Sequence, residues 1–335
     1  MKFSVGYQMM PNSTFLDAIL AYRDRISEVY FSWGSYANGR NSQLRQMNLT
    51  AWEAQRRQEE DLKLLSDNGL KLNLLFNAMC YGKDSQSRAF FEGIGNTVDY
   101  ISNHLGLASV TTTSPLIARF VKENFSGIDV RASVNMGIGT PEAMSYLKDC
   151  FDSFYMKREL NRDFTAIHKL KQWCDDNGKI MYALANSGCL NDCPAHAFHD
   201  NLVAHEQEIS QMDNGYAFEG ICRKHLRDPI NQQAILTQTG FIRPEDLHYY
   251  ETLFPAMKLA TRVSPVPLQI LRAYMNEKHT GAVTDLLEPN HTGLLYPYLL
   301  ENSALNSTVH DNMLIYSNFE NARIKLEETL CLQVK

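Results

Sequence analysis

Short apolar runs alternate with longer stretches of helical periodicity along most of this chain. The apolar runs predict strands at 2–8, 28–33, 72–77, 109–113, 129–135, 153–158, 179–186 and 256–263. Amphipathic stretches fall between them, for example 51–68 and 162–177, and two of these end on Asp-Asn-Gly at Gly69 and Gly178, just before a strand. Eight strands separated by helical patterns point to a closed parallel barrel rather than an open doubly wound sheet. An open sheet would carry a glycine-rich phosphate turn after its first strand. Met9-Met10-Pro11-Asn12-Ser13 stands there instead.

Two segments interrupt the rhythm, a polar loop at 34–49 and a long crossover at 189–240 between the seventh and eighth strands. The expected architecture is therefore a TIM-like (β/α)8 barrel over 1–277, with a long insert between strands 7 and 8. A C-terminal extension over 278–335 would pack on it.

Composition changes this picture little. The 335 residues are 44% hydrophobic and 21% charged, enough for a sizeable core. A net charge of −6 gives no support to RNA as a ligand by bulk electrostatics. No apolar stretch approaches the roughly 20 residues that span a membrane. The N-terminus has no apolar signal region, so a cytoplasmic location without membrane contact is expected.

The cysteines carry the chemistry. Seven of them, without a secretion signal, argue for free or metal-bound thiols rather than disulfides. Cys189 and Cys193 form a C-x3-C pair directly after the seventh strand, and Cys222 lies in the same crossover. Thiolates grouped at a strand end suit a soft metal or an iron–sulfur centre. In a barrel of this kind the active site lies at the C-terminal ends of the strands, which brings in Cys80, just past the third strand, as a fourth ligand. Cys150 and Cys174 lead into strands and fall at the opposite end, where they read as small buried hydrophobes. His196 and His199 follow Cys193, so zinc on mixed cysteine and histidine ligands is the alternative.

Other strand-end residues complete the candidate site. Glu159, beside Arg158 at the end of the sixth strand, is the candidate acid/base. Lys258 and Arg262 share a face of the eighth strand, and buried cations there need either a salt bridge or an anionic ligand. With Arg158 or Arg131 they would bind a carboxylate-bearing small molecule. Asn135, ending the fifth strand, joins the substrate-binding set.

At these residues the chain resembles the U32 peptidase-like family. Lys157-Arg158-Glu159-Leu160-Asn161 is similar to the family's Arg-Glu-Leu-Ser stretch. Phe241 to Leu247 followed by Met257 to Arg262 resembles its last barrel strand and the helix before it. The cysteines after the seventh strand stand where the family places cluster ligands. The resemblance implies a TIM-like barrel and, as in the family's redox members, a [4Fe–4S] cluster on Cys80, Cys189, Cys193 and Cys222. It implies oxygen-independent oxidation or hydroxylation of a small molecule or an RNA nucleoside. It also implies, as alternatives, a peptidase or a non-catalytic cluster-bearing subunit paired with a second U32-like chain, while the same cysteines with His196 or His199 leave a zinc-dependent hydrolase as a further alternative. Usual members hold all four cysteines in mid-chain, whereas Cys80 lies early. No His-Glu-x-x-His or Gly-x-Ser-x-Gly motif supports proteolysis.

Overall fold

The computed structural model describes residues 1–34, 36–37 and 49–326. Eight parallel strands close into a barrel in sequence order, the last pairing back onto the first. They are β1 (Phe3–Gly6), β2 (Ile26–Phe31), β3 (Lys71–Phe76), β4 (Leu107–Thr112), β5 (Asp129–Ala132), β6 (Ser153–Tyr155), β7 (Ile180–Leu184) and β8 (Met257–Leu259). Each predicted strand is present. β6 and β8 are shorter than expected because the chain leaves the barrel rim early, turning at Arg158–Leu160 and beyond Leu259.

The outer layer contains α1 (Thr14–Ala21), α2 (Ala51–Asp67), α3 (Arg88–Leu105), α4 (Pro115–Asn124), α5 (Pro141–Tyr146) and α6 (Phe164–Asp176). Local chemistry starts and stops them. Thr50 and Glu53 form a reciprocal capping box at the start of α2, and Gly106, in the left-handed region at φ 79°, follows α3. The insert after β7 carries α7 (His196–Ala204), α8 (Glu206–Ile209), α9 (Ile221–Leu226) and α10 (Ala234–Thr237). Next to β1 and α1, α11 (Pro267–Met275) completes the ring after β8. Among the described residues no helix is long and apolar enough to cross a membrane.

The tail folds into two antiparallel pairs, β9 (Tyr298–Leu300) with β12 (Arg323–Lys325), and β10 (Asn306–His310) with β11 (Met313–Ser317). It is tied to the barrel by the Leu314 amide on Arg162 O at 2.8 Å and the Arg243 amide on the Tyr316 hydroxyl at 2.8 Å. Most of the polar loop at 34–49, the chain beyond Leu326 and Cys331 lie outside the described residues.

Inside the barrel the strands do not meet through apolar side chains alone. The buried Glu28 carboxylate accepts from Ser4 Oγ at 2.7 Å, Asn73 Nδ2 at 2.9 Å and Arg131 Nη1 at 2.7 Å. Arg131 also donates to Asp129 at 2.7 Å and lies 4.1 Å over the Tyr182 ring. Burial pushes the Glu28 carboxyl upward, but Arg131 and the two other donors outweigh it and hold the group below its ordinary value. The expectation that Arg131 helps bind a ligand is therefore corrected. Its guanidinium is committed to Glu28 and Asp129, because a buried charge without such partners would cost several kcal/mol.

Candidate functional site

At the C-terminal ends of the strands lies a cavity of about 80 Å³, lined by Tyr30, Asn77, Asn135, Arg158, Lys258 and Arg262 among others. Arg158 is fixed from several directions. Its Nη2 donates to Asn135 Oδ1 at 3.1 Å, and Asn135 Nδ2 donates to Asn77 O at 3.2 Å. Gly240 passes so close beneath that a Cβ there would stand 2.1 Å from Arg158 O. Asn161 clamps the same turn by donating to Leu184 O and Gly240 O, both at 2.6 Å.

Lys258 sits mid-β8 with its Nζ 4.0 Å from the Tyr30 ring centroid and 5.1 Å from that of Tyr155. Burial, reinforced by Arg262, drops its amine to about 7. Arg262 does not share β8 with it as the sequence suggested. The strand ends at Leu259, and Arg262 lines the cavity from the turn beyond. Glu159 is a second correction. The turn after β6 buries Arg158 and leaves Glu159 half-buried, outside the cavity lining. The carboxylates that do reach the cavity are Asp200 from α7 and Glu288 from the tail, neither of which sequence reasoning singled out. A larger hollow of about 550 Å³ runs along α11 from Met10 to Thr280, and no predicted site residue lines it.

The cysteine loop leaves β7 through Asn186, Ser187 and Gly188, and the tail holds it. Gly188 N donates to Glu288 O at 2.8 Å, its carbonyl meets His291 Nε2 at 2.7 Å, and a Cβ there would stand 2.3 Å from Pro289 O. Asp192 turns the loop in the left-handed region at φ 56°, a conformation that aspartate tolerates better than most residues. Burial raises the Cys222 thiol, and the proximity of Cys189 and Cys193 raises it further, so these three share one neighbourhood. Cys189 Sγ also accepts from Arg158 Nη1 at 3.4 Å, which joins the thiols to the cavity.

Cys80 has a different partner. Its sulfur lies within hydrogen-bonding reach of His205 and accepts from the Gly82 amide at 3.4 Å; both lower its pKa, His205 the more. His205 is raised chiefly by Cys80 and meets Glu208 through Nδ1 at 3.0 Å. His205 and Cys80 stand far apart in sequence, so no local signal paired them. The spacing of His205 and Glu208 at one helix start was the only hint.

Among the described residues no three His, Cys, Asp or Glu side chains converge as closely as the ligands of one metal ion do. Cys189, Cys193 and Cys222 lie near one another without reaching that closeness, while Cys80 is turned to His205. His196 pairs with Asp200 at 3.1 Å, and the His199 ring packs 5.4 Å from that of Phe218. Cys150 lies in the turn after α5, not in a helix. Cys174 is fully buried in α6, 3.9 Å from Met144 Sδ, and burial pushes its thiol up to about 12.

The closed ring of alternating strands and helices is a TIM-like (β/α)8 barrel. The solved structure of the U32 peptidase Mk0906 matches it with a TM-score of 0.55 at 14% identity, over 77% of this chain and 91% of that one. The uncharacterized protease MJ1657 of Methanocaldococcus jannaschii is 26% identical over 247 residues, 72% of this chain and 71% of the relative. No family model matches. The first likeness shows the barrel fold, and the second is a similarity in sequence over most of both chains.

Proposed function

We propose that the chain is an enzyme holding an iron–sulfur centre at the C-terminal face of its barrel, and that it oxidises or hydroxylates, without oxygen, a small molecule or nucleoside bearing an anionic group. The observation that carries this reading is the junction at Arg158, which touches the Cys189 sulfur and lines the cavity beside Lys258 and Arg262. Cys189, Cys193 and Cys222 would hold the centre, with Cys80 as fourth ligand once its side chain leaves His205. When bound, such a centre supplies one-electron redox chemistry.

The protein's own part is positioning. Arg158, Asn135 and Lys258 receive the anionic group, and the cavity, far smaller than the roughly 300–1,000 Å³ of drug-sized pockets, admits a few atoms and little water. Purification without air, followed by iron and sulfide analysis, tests the reading. Iron and sulfide in matched amounts, lost in Cys189→Ser and Cys222→Ser, are expected. Stoichiometric zinc without sulfide overturns it.

A second reading, thiol-dependent hydrolysis, is favoured by one specific observation. Cys80, His205 and Glu208 form a chain of thiol, imidazole and carboxylate, the arrangement that activates a sulfur nucleophile. The relatives' protease names point the same way. Peptide turnover by metal-free protein, abolished by Cys80→Ala and by His205→Ala, would establish it. Unchanged turnover in either variant would overturn it.

A further inference from the structure

We propose that the barrel mouth binds a small oxyanion between Arg158 and Lys258, and that the Lys258 amine takes up a proton as the anion enters. The inference rests on the barrel mouth being the substrate site, and not on the cysteine centre.

The argument starts from what surrounds the amine. Lys258 is only 6% exposed, and its Nζ lies over two aromatic rings, Tyr30 from β2 and Tyr155 from β6. Cations approach it from three further places: Arg131 on β5, Arg158 after β6 and Arg262 after β8. The acid on the barrel floor, Glu28 on β2, is already bound by Ser4, Asn73 and Arg131. Asp200 and Glu288 also line the cavity, and both carboxylates have partners of their own, Asp200 pairing with His196. Crowding a third cation beside Arg158 and Arg262 in so small a space disfavours the ammonium form. Burial and Arg262 accordingly drop the amine to about 7.

An entering oxyanion reverses this balance. It would meet the Arg158 guanidinium and the amine together, and an adjacent negative charge favours the ammonium form. The proton comes from solvent, and the Lys258 nitrogen ends as a charged donor to the anion. The cavity of about 80 Å³ holds several waters' worth of space at ~10–15 Å³ each, which matches a carboxylate, sulfate or phosphate group rather than a bulky ring.

Calorimetry on the full chain tests this with oxalate and sulfate as probes, whose charges do not change between pH 6 and 9. Each titration is run in two buffers of different ionisation enthalpy. For an amine titrating near 7, the protonated fraction falls about 50-fold from pH 7 to pH 9, so apparent affinity should weaken by up to that factor. At pH 8 most of one proton should be taken up per anion bound. Lys258→Arg should bind the anion without proton uptake. Binding without uptake in the native chain, uptake that persists in Lys258→Arg, or no binding of either probe overturns the inference. Iron and sulfide content decides the cysteine centre separately, so the two readings fail on different measurements.

Discussion

Arg158 and Cys189 meet through an Nη1 to Sγ hydrogen bond of 3.4 Å, made across the rim by two residues that leave different strands. The other terminal nitrogen of the same guanidinium grips Asn135 at 3.1 Å, so one planar side chain spans the thiol loop and the cavity. Lysine has one point charge where arginine has a fork. Arg158→Lys should weaken oxalate binding by roughly 10-fold or more, in line with the ~1.5–3 kcal/mol of a hydrogen bond to a charged group. The same variant should leave the iron content of the proposed centre unchanged. Equal losses of anion binding and iron would show that Arg158 supports the loop as a whole.

Lys258→Met should raise stability while abolishing anion binding. The amine's folded value, about 7, lies below the ordinary 10.5. Between those values the unfolded chain binds more protons, so the native chain gains stability as pH rises. The penalty is complete below about pH 7, on the order of a few kcal/mol. Thermal melts at pH 6.5 and pH 10 check this. The variant should melt higher than the native chain at pH 6.5, and the gap should close at pH 10.

Glu28→Gln should destabilise the barrel by about 3 kcal/mol, because it leaves Arg131 buried with Asp129 as its remaining carboxylate. Glu28 is held below its ordinary 4.5, so its contribution is present above that pH and disappears as pH falls through the lower folded value. Denaturant curves from pH 7 to pH 3 should show the native chain losing its advantage over the variant at the acid end.

Gly240→Ala should cost about 1–3 kcal/mol, since the added methyl would overlap the Arg158 carbonyl, a backbone atom that cannot rotate away. Oxalate affinity should fall with stability, because the turn that aims Arg158 would shift. Cys174→Ser should cost a similar amount by burying a hydroxyl in an apolar place, yet leave iron content and anion binding unchanged. Urea titration with oxalate calorimetry separates the two variants.

The number and order of strands were legible in the sequence because strand and helix periodicities are local properties of consecutive residues. The same locality placed Cys189, Cys193 and Arg158 beyond strand ends, where a barrel collects its chemistry. What the sequence did not contain was the pairing of residues across the closed ring. Arg131 and Arg158 look alike as cations near strands, but closure puts Glu28 beside Arg131 and leaves Arg158 at the cavity. Cys80 stands on the expected face, yet the fold of the insert gives it His205. The tail, which reads as an appendage, supplies Glu288 to the cavity and holds Gly188 ahead of the first thiol of the loop. Such contacts join residues far apart in sequence, and only the closed barrel decides which buried charge meets which partner.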